Sequence, residues 1–168
     1  AVAGFGADLI RPRPGSRAAA YPAVVSSLCQ ERPIALSEAQ FLRRSTTHRT
    51  IVALPSPYTI ARRMWSSEHS IVAYPTRSSF MEACIPIINE ELKRLTALGV
   101  DAIQLDDPWL VLLVDPEYRA REGIADISAE IEMSIRGING AVQDVPHPFI
   151  SVHLCHAHGN RKHSTRGP

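Results

Sequence analysis

Three short apolar segments alternate with two long amphipathic ones, and this alternation leaves the chain very few architectures. Thr50-Ile51-Val52-Ala53-Leu54 is a β-branched run closed by Pro55-Ser56-Pro57, the mark of a buried strand that runs into a loop. Phe80, Cys84, Ile87, Ile88, Leu92, Leu95 and Leu98 then recur every three or four residues until Gly99. That spacing predicts a helix, entered through the capping-box pair Ser79 and Glu82 and stopped by the glycine. Pro86 inside it predicts a kink or a late start. Val100 to Leu105 follow almost at once as a second strand, ending in Asp106-Asp107-Pro108. Ile124, Ile127, Ile131, Ile135 and Ile138 mark a second long helix, with Asp126, Glu130, Glu132 and Arg136 on its other faces and Gly137 and Gly140 as its end. Phe149 to Cys155, preceded by Pro146 and Pro148, reads as a third strand. Strands and helices in this order imply parallel strands joined by right-handed crossovers, so the fold class is α/β.

The flanking regions are less regular. Residues 1–35 carry scattered prolines and glycines without sustained periodicity and are expected to be a poorly defined, mostly irregular N-terminal segment. Ser37 and Gln40 have capping-box spacing and predict a short helix through about Arg44; Thr59 to Trp65 reads as one or two helical turns, and Ser66 to Arg77 as a polar excursion. A length of 168 residues suits one domain, with 36–168 as its organised part. No internal repeat is evident. The last residues, His163 to Pro168, read as a loop leading onward.

Composition excludes several classes. Lys and Arg total 18 against 17 acidic residues, so the net charge of +1 offers no electrostatic basis for binding nucleic acid or an anionic membrane. No apolar run approaches the ~20 residues that span a bilayer, and no signal-peptide pattern opens the chain, which makes a cytoplasmic protein the expectation. Three cysteines, Cys29, Cys84 and Cys155, are too few and too scattered for a disulfide framework, so thiol chemistry is open to them. Neither a G-x-G-x-x-G nor a Walker sequence occurs, which disfavours nucleotide binding.

Chemistry concentrates where each strand ends. In parallel α/β folds the ligand site lies at the carboxyl ends of the strands, so Pro55 to Thr59, Asp106 to Trp109 and His153 to His158 are expected to converge. His153 and Cys155, at i and i+2 of a strand, share a face, and imidazole with thiolate suits zinc. A bare His-x-Cys is more often a core thiol beside loop histidines; five of the seven histidines at or after His147 shift that balance slightly. His156 or His158 would add a third ligand only by reaching back from a loop. Alternation places one of Asp106 and Asp107 toward the sheet centre, where a carboxylate holds a substrate ammonium, and the other away from it, where a capping role is as common. Ser56, Tyr58 and Thr59 supply hydroxyls at the first strand mouth. Trp65 and Trp109 offer rings for stacking, although packing is the commoner use of Trp, and Arg62-Arg63 is most often a solvated face.

Taken together, Leu54-Pro55-Ser56-Pro57-Tyr58-Thr59, Gly99 to Pro108 and Val152-His153-Leu154-Cys155 resemble the catalytic domain of the cobalamin-independent methionine synthase family, over about residues 45–168. The middle segment is similar to the family's I-Q-I-D-E-P strand and the last to its H-x-C zinc strand. The resemblance implies a (β/α)₈ TIM barrel, incomplete in this chain because a whole barrel takes ~250 residues. It also implies zinc-dependent transfer of a methyl group from 5-methyltetrahydrofolate, as the polyglutamate, to the thiol of homocysteine, giving methionine. His153 and Cys155 match two zinc ligands, and the family's other two, a glutamate and a cysteine, are expected past Pro168. Asp106 matches the carboxylate that holds the substrate amino group; Asp107, Ser56 and Thr59 join it as candidate binding residues. Trp65 stands two positions from the family's pterin-stacking tryptophan. The alternatives are a related zinc-thiol alkyltransferase with another donor or acceptor, and a non-catalytic truncated zinc-binding barrel.

Overall fold

The computed structural model describes residues 1–10, 20–146 and 149–155. At its centre lies a parallel three-stranded sheet in the order β3-β4-β5, made of β3 (Ile51–Pro55), β4 (Ala102–Asp106) and β5 (Phe149–His153). The helices α3 (Arg77–Leu98) and α6 (Ile127–Val142) belong to its two crossovers, so the alternation in the sequence has become two βαβ units. Among the described residues the sheet does not close into a barrel.

The described part of the first 35 residues, 1–10 and 20–35, is not irregular throughout. β1 (Val2–Ile10) and β2 (Tyr21–Gln30) pair as an antiparallel hairpin with register shifts after Ala3 and Phe5. The shifts hide the period of two from a reading of the sequence, and Gly4 at φ +117° adopts a backbone that other residues resist. The hairpin is fixed by packing rather than by pattern: Val24 lies in a buried cluster with Ala61, Phe80, Met81 and Cys84, against which Phe5 and Leu28 pack. The Leu28 N–H donates to Tyr74 Oη at 2.9 Å.

α1 (Leu36–Ser45) forms where expected, yet Ala35 caps it and Ser37 Oγ donates to Glu38 instead. α2 (Pro57–Met64) starts from Ser56, whose Oγ accepts the Thr59 N–H at 3.0 Å, with Pro57 in the first turn, where its missing N–H costs nothing. α3 begins three residues before the expected box: Thr76 and Ser79 cap each other reciprocally, and the helix runs through Pro86 to Gly99 at φ +83°. Two short helices, α4 (Pro108–Leu112) and α5 (Pro116–Glu122), fill the link to α6.

The face that α6 buries differs from the isoleucine stripe. Its buried residues are Glu130, Ser134, Gly137 and Ala141, while Ile131 and Ile135 are 38% and 49% exposed. Gly137 and Gly140 do not end the helix, which continues to Val142. A Cβ at Gly137 would stand 3.0 Å from Met81 Sδ and 3.4 Å from Pro57 Cβ, and one at Gly140 would stand 2.9 Å from Ile85 Cγ2. Small residues let α6 come close to α2 and α3, and closeness outweighs the gain from burying larger side chains.

The helices cover one face of the sheet. Leu54, Ile103 and Leu105 point into a core with Ile88, Leu92 and Leu95 of α3 and Ala141 of α6. The opposite face carries Ile51, Ala102 and Phe149 in one tier, Ala53, Gln104 and Ser151 in the next, and Pro55, Asp106 and His153 at the carboxyl end. Ile51 and Phe149 are 56% and 72% exposed on it. Replacing Gly137 by valine is expected to lower unfolding free energy by about 1–3 kcal/mol, because its side chain would crowd the buried Met81 and the Pro57 ring; the urea midpoint measures it.

Candidate functional site

The register of the parallel ladder builds the site. Pro55 pairs with Asp106 and Asp106 with His153, so three strand ends stand level and the Asp106 and His153 side chains emerge on the same open face. The ladder continues one residue further: Ser56 N–H donates to the Asp106 carbonyl at 3.0 Å, and Asp107 N–H donates to the His153 carbonyl at 2.9 Å. Thr59 Oγ1 also donates to the Asp106 carbonyl, at 2.9 Å. The strand ends at Pro55, Asp106 and His153 therefore stand together, while His156 to His158 of the third expected cluster lie outside the described residues.

The two adjacent aspartates face opposite ways. Asp106 is half-buried beside Gln104, whose Nε2 donates to Asp106 Oδ1 at 2.8 Å. Asp107 is fully buried beneath α6, where Ser134 Oγ donates to its Oδ2 at 2.7 Å. Burial pushes the Asp107 carboxyl above the usual carboxylate range; the Ser134, Ser56 and Thr59 hydroxyls and the Leu110 N–H pull it the other way. Those neighbours are close enough to favour the ionised form, yet Oδ1 makes no well-formed hydrogen bond.

Ser56 and Thr59 are fully buried as well. Their polar groups cap α2 and hold the Asp106 carbonyl, so they steady the strand ends from behind. Trp65 is not brought to the strand mouths: it caps the far end of α2, ~14 Å along the helix from Ser56. There it packs against the Phe80 cluster, and its indole N–H donates to the Tyr74 carbonyl at 2.9 Å.

Cys155 follows β5 by two residues and is half-buried. His153 and Cys155 are donors of the types zinc favours. Among the described residues, however, no group of three His, Cys, Asp or Glu side chains is placed to hold a metal ion. His147, His156 and His158 lie outside the described residues. Cys84 is a core residue; burial raises its thiol to about 12, which keeps it protonated and unreactive.

No family model matches the chain. It is 33% identical over 140 residues to the methionine synthase of Pyrococcus furiosus and 34% identical over 137 residues to that of Pyrococcus abyssi, covering 82% and 80% of this chain. Over four-fifths of its length the chain is similar to these methionine synthases. It spans about a third of the length of these relatives, 35% and 34% respectively. The fold agrees. A B12-independent methionine synthase from Shewanella sp. W3-18-1, solved in complex with selenomethionine, superposes with a TM-score of 0.68 at 24% identity, covering 95% of this chain and 42% of that one. A putative vitamin-B12 independent methionine synthase from Listeria monocytogenes gives 0.62 at 18%, covering 80% and 41%.

Within this fold, a buried polar network lies behind the strand ends that the sequence pattern concealed. Tyr58 Oη donates to Glu130 Oε2 at 2.6 Å, and Arg77 pairs with the same carboxylate. Burial, and then the hydrogen bond to Glu130, raise the Tyr58 phenol far above its usual range, so it stays protonated as a donor. Ser134 and Glu130 were legible only as the polar gaps, four residues apart, on one side of α6.

The Asp107 carboxyl gives a pH signature. Its folded value is raised, so between the ordinary 3.8 and that value the unfolded chain releases the proton more readily. Stability falls as pH rises through this window. In Asp107→Asn this contribution is expected to vanish, so that stability rises more, or falls less, from pH 4 to pH 7 than in the unsubstituted chain. Urea titrations at the two pH values measure it.

Proposed function

We propose that the chain contributes the acceptor side of a methionine synthase active site, in which a methyl group passes from 5-methyltetrahydrofolate to the thiol of homocysteine. Support comes from one juxtaposition above all: Asp106 and His153 stand level on adjacent strands and share the open face. The Pyrococcus relatives bear the name methionine synthase, and the selenomethionine bound by the Shewanella protein is the selenium analogue of the product.

In this reading the Asp106 carboxylate holds the substrate ammonium, a charge-assisted hydrogen bond that fixes where the thiol points. Gln104 steadies that carboxylate from the tier below. The clamp on the Asp106 carbonyl by Ser56 and Thr59 keeps the strand end from turning. His153 and Cys155 would hold zinc, with further ligands from outside the described residues. When bound, zinc supplies the Lewis acidity that keeps a coordinated thiol deprotonated at neutral pH. In the transfer the bond from the folate N5 to its methyl carbon breaks, the bond from sulfur to carbon forms, and the folate nitrogen takes up a proton.

A second reading, a related zinc-thiol alkyltransferase with another donor, is favoured by one observation. Trp65, two positions from the tryptophan that would stack on a pterin, is engaged instead with the Tyr74 carbonyl.

Zinc analysis and kinetics test both readings. His153→Ala and Cys155→Ala are each expected to lose bound zinc, while Asp106→Asn keeps it and raises KM for homocysteine by about 10- to 100-fold, the worth of a hydrogen bond to a charged group. Turnover with methyltetrahydrofolate separates the first reading from the second. Zinc retained in both ligand variants would sink them together.

A further inference from the structure

Beside the strand ends stands a second constellation that neither the core nor the proposed reaction uses. Arg62 and Arg63 of α2 lie against Trp109, the second residue of α4, each with its Cζ 5.9 Å from the indole centroid. Arg63 also lies 5.0 Å over Tyr21. The Tyr118 ring stacks on Trp109 at 6.2 Å, and its hydroxyl accepts from Arg62 Nη2 at 2.8 Å. Three donors in this cluster are buried without an acceptor: Arg62 Nε, Arg63 Nε and Trp109 Nε1. The Arg62 side chain is only 6% exposed.

Folded proteins leave few buried donors unpaired; Arg77 Nε and Arg94 Nη1 are others among the described residues, but only in this cluster do three gather on side chains packed together, which points to an acceptor that arrives from outside. The donors fix its chemistry. Arginine and tryptophan side chains offer N–H groups and no acceptor, so the group they suit is rich in lone pairs and carries no proton of its own to place. Charge points the same way. Glu122 lies 3.5 Å from Arg62, and it serves Arg121 at the same distance. Arg63 has no carboxylate within 4.0 Å among the described residues.

We propose that Arg62, Arg63 and Trp109 form a binding site for an oxyanion, the carboxylate or phosphate group of a small ligand. Trp109, which follows Asp106 by three residues, ties the site to the carboxyl end of β4, and Arg62 and Arg63 reach it from the last turn of α2. It rests on the unpaired donors alone and stands whether or not the chain takes part in methyl transfer.

Inorganic phosphate and tricarballylate, titrated separately in chloride buffer, test it. The chain has two tryptophans, so Trp65→Phe leaves Trp109 as the fluorescent reporter. Calorimetry on the unsubstituted chain reads the same binding without that change. At least one probe is expected to bind saturably. Arg63→Gln should weaken binding about tenfold or more, and so should Arg63→Lys, which keeps the charge but loses the guanidinium N–H edge. Arg44→Gln, on the exposed side of α1, should leave it unchanged, and circular dichroism should show all variants folded. Tighter binding of tricarballylate points to a carboxylate ligand and tighter binding of phosphate to a phosphate ligand; either supports the site. Absence of saturable binding by both methods overturns it. Binding that survives Arg63→Gln within about twofold also overturns it, as an adventitious ion only.

Discussion

The lateral register of β4 governs everything at the strand ends. Ile103 and Leu105 must point into the helical core, and with a side-chain period of two that requirement alone sends Gln104 and Asp106 to the opposite face. A slip of one residue would bury Asp106 under the helices and expel Leu105. Backbone bonds beyond the ladder, from Ser56 to the Asp106 carbonyl and from Asp107 to the His153 carbonyl, hold the register where the strands would otherwise fray. The position of the Asp106 carboxylate beside His153 is thus a consequence of apolar burial one and three residues away, at Leu105 and Ile103.

Behind this edge the molecule is polar where a simple core would be apolar. Asp107 meets Ser134, and Glu130 meets Tyr58 and Arg77. Glu91 accepts the Ala35 N–H at 2.7 Å, tying α1 to α3. Each of these carboxylates loses hydration on burial, and its partners offset that cost only in one arrangement of the helices. The Gly137 and Gly140 contacts serve the same end by bringing α6 close enough for Ser134 to reach Asp107.

Parallel sheets are ordinarily covered on both faces. Here, among the described residues, helices cover one face, and the face bearing Asp106 and His153 has no covering element. The chain spans about a third of its methionine synthase relatives, and it carries the part in which three successive strand ends present the D-D-P and H-x-C sequences side by side.

By itself the sequence determined the α/β class, the three strands, the two long helices and the meeting of their ends, because burial periodicity and chain connectivity are local properties. It also singled out Asp106 and His153, which alternation places on one face. It did not determine the N-terminal hairpin, whose bulged register has no readable period, nor the buried side of α6, where small size rather than hydrophobicity decides what lies inside. Only the tertiary structure decided that Asp107, Ser56 and Thr59 lie buried behind the edge, that Trp65 packs away from it, and that Arg62 and Arg63 gather around Trp109. Each of those outcomes depends on which side chains distant in sequence arrive at the same place, and no local pattern encodes that meeting.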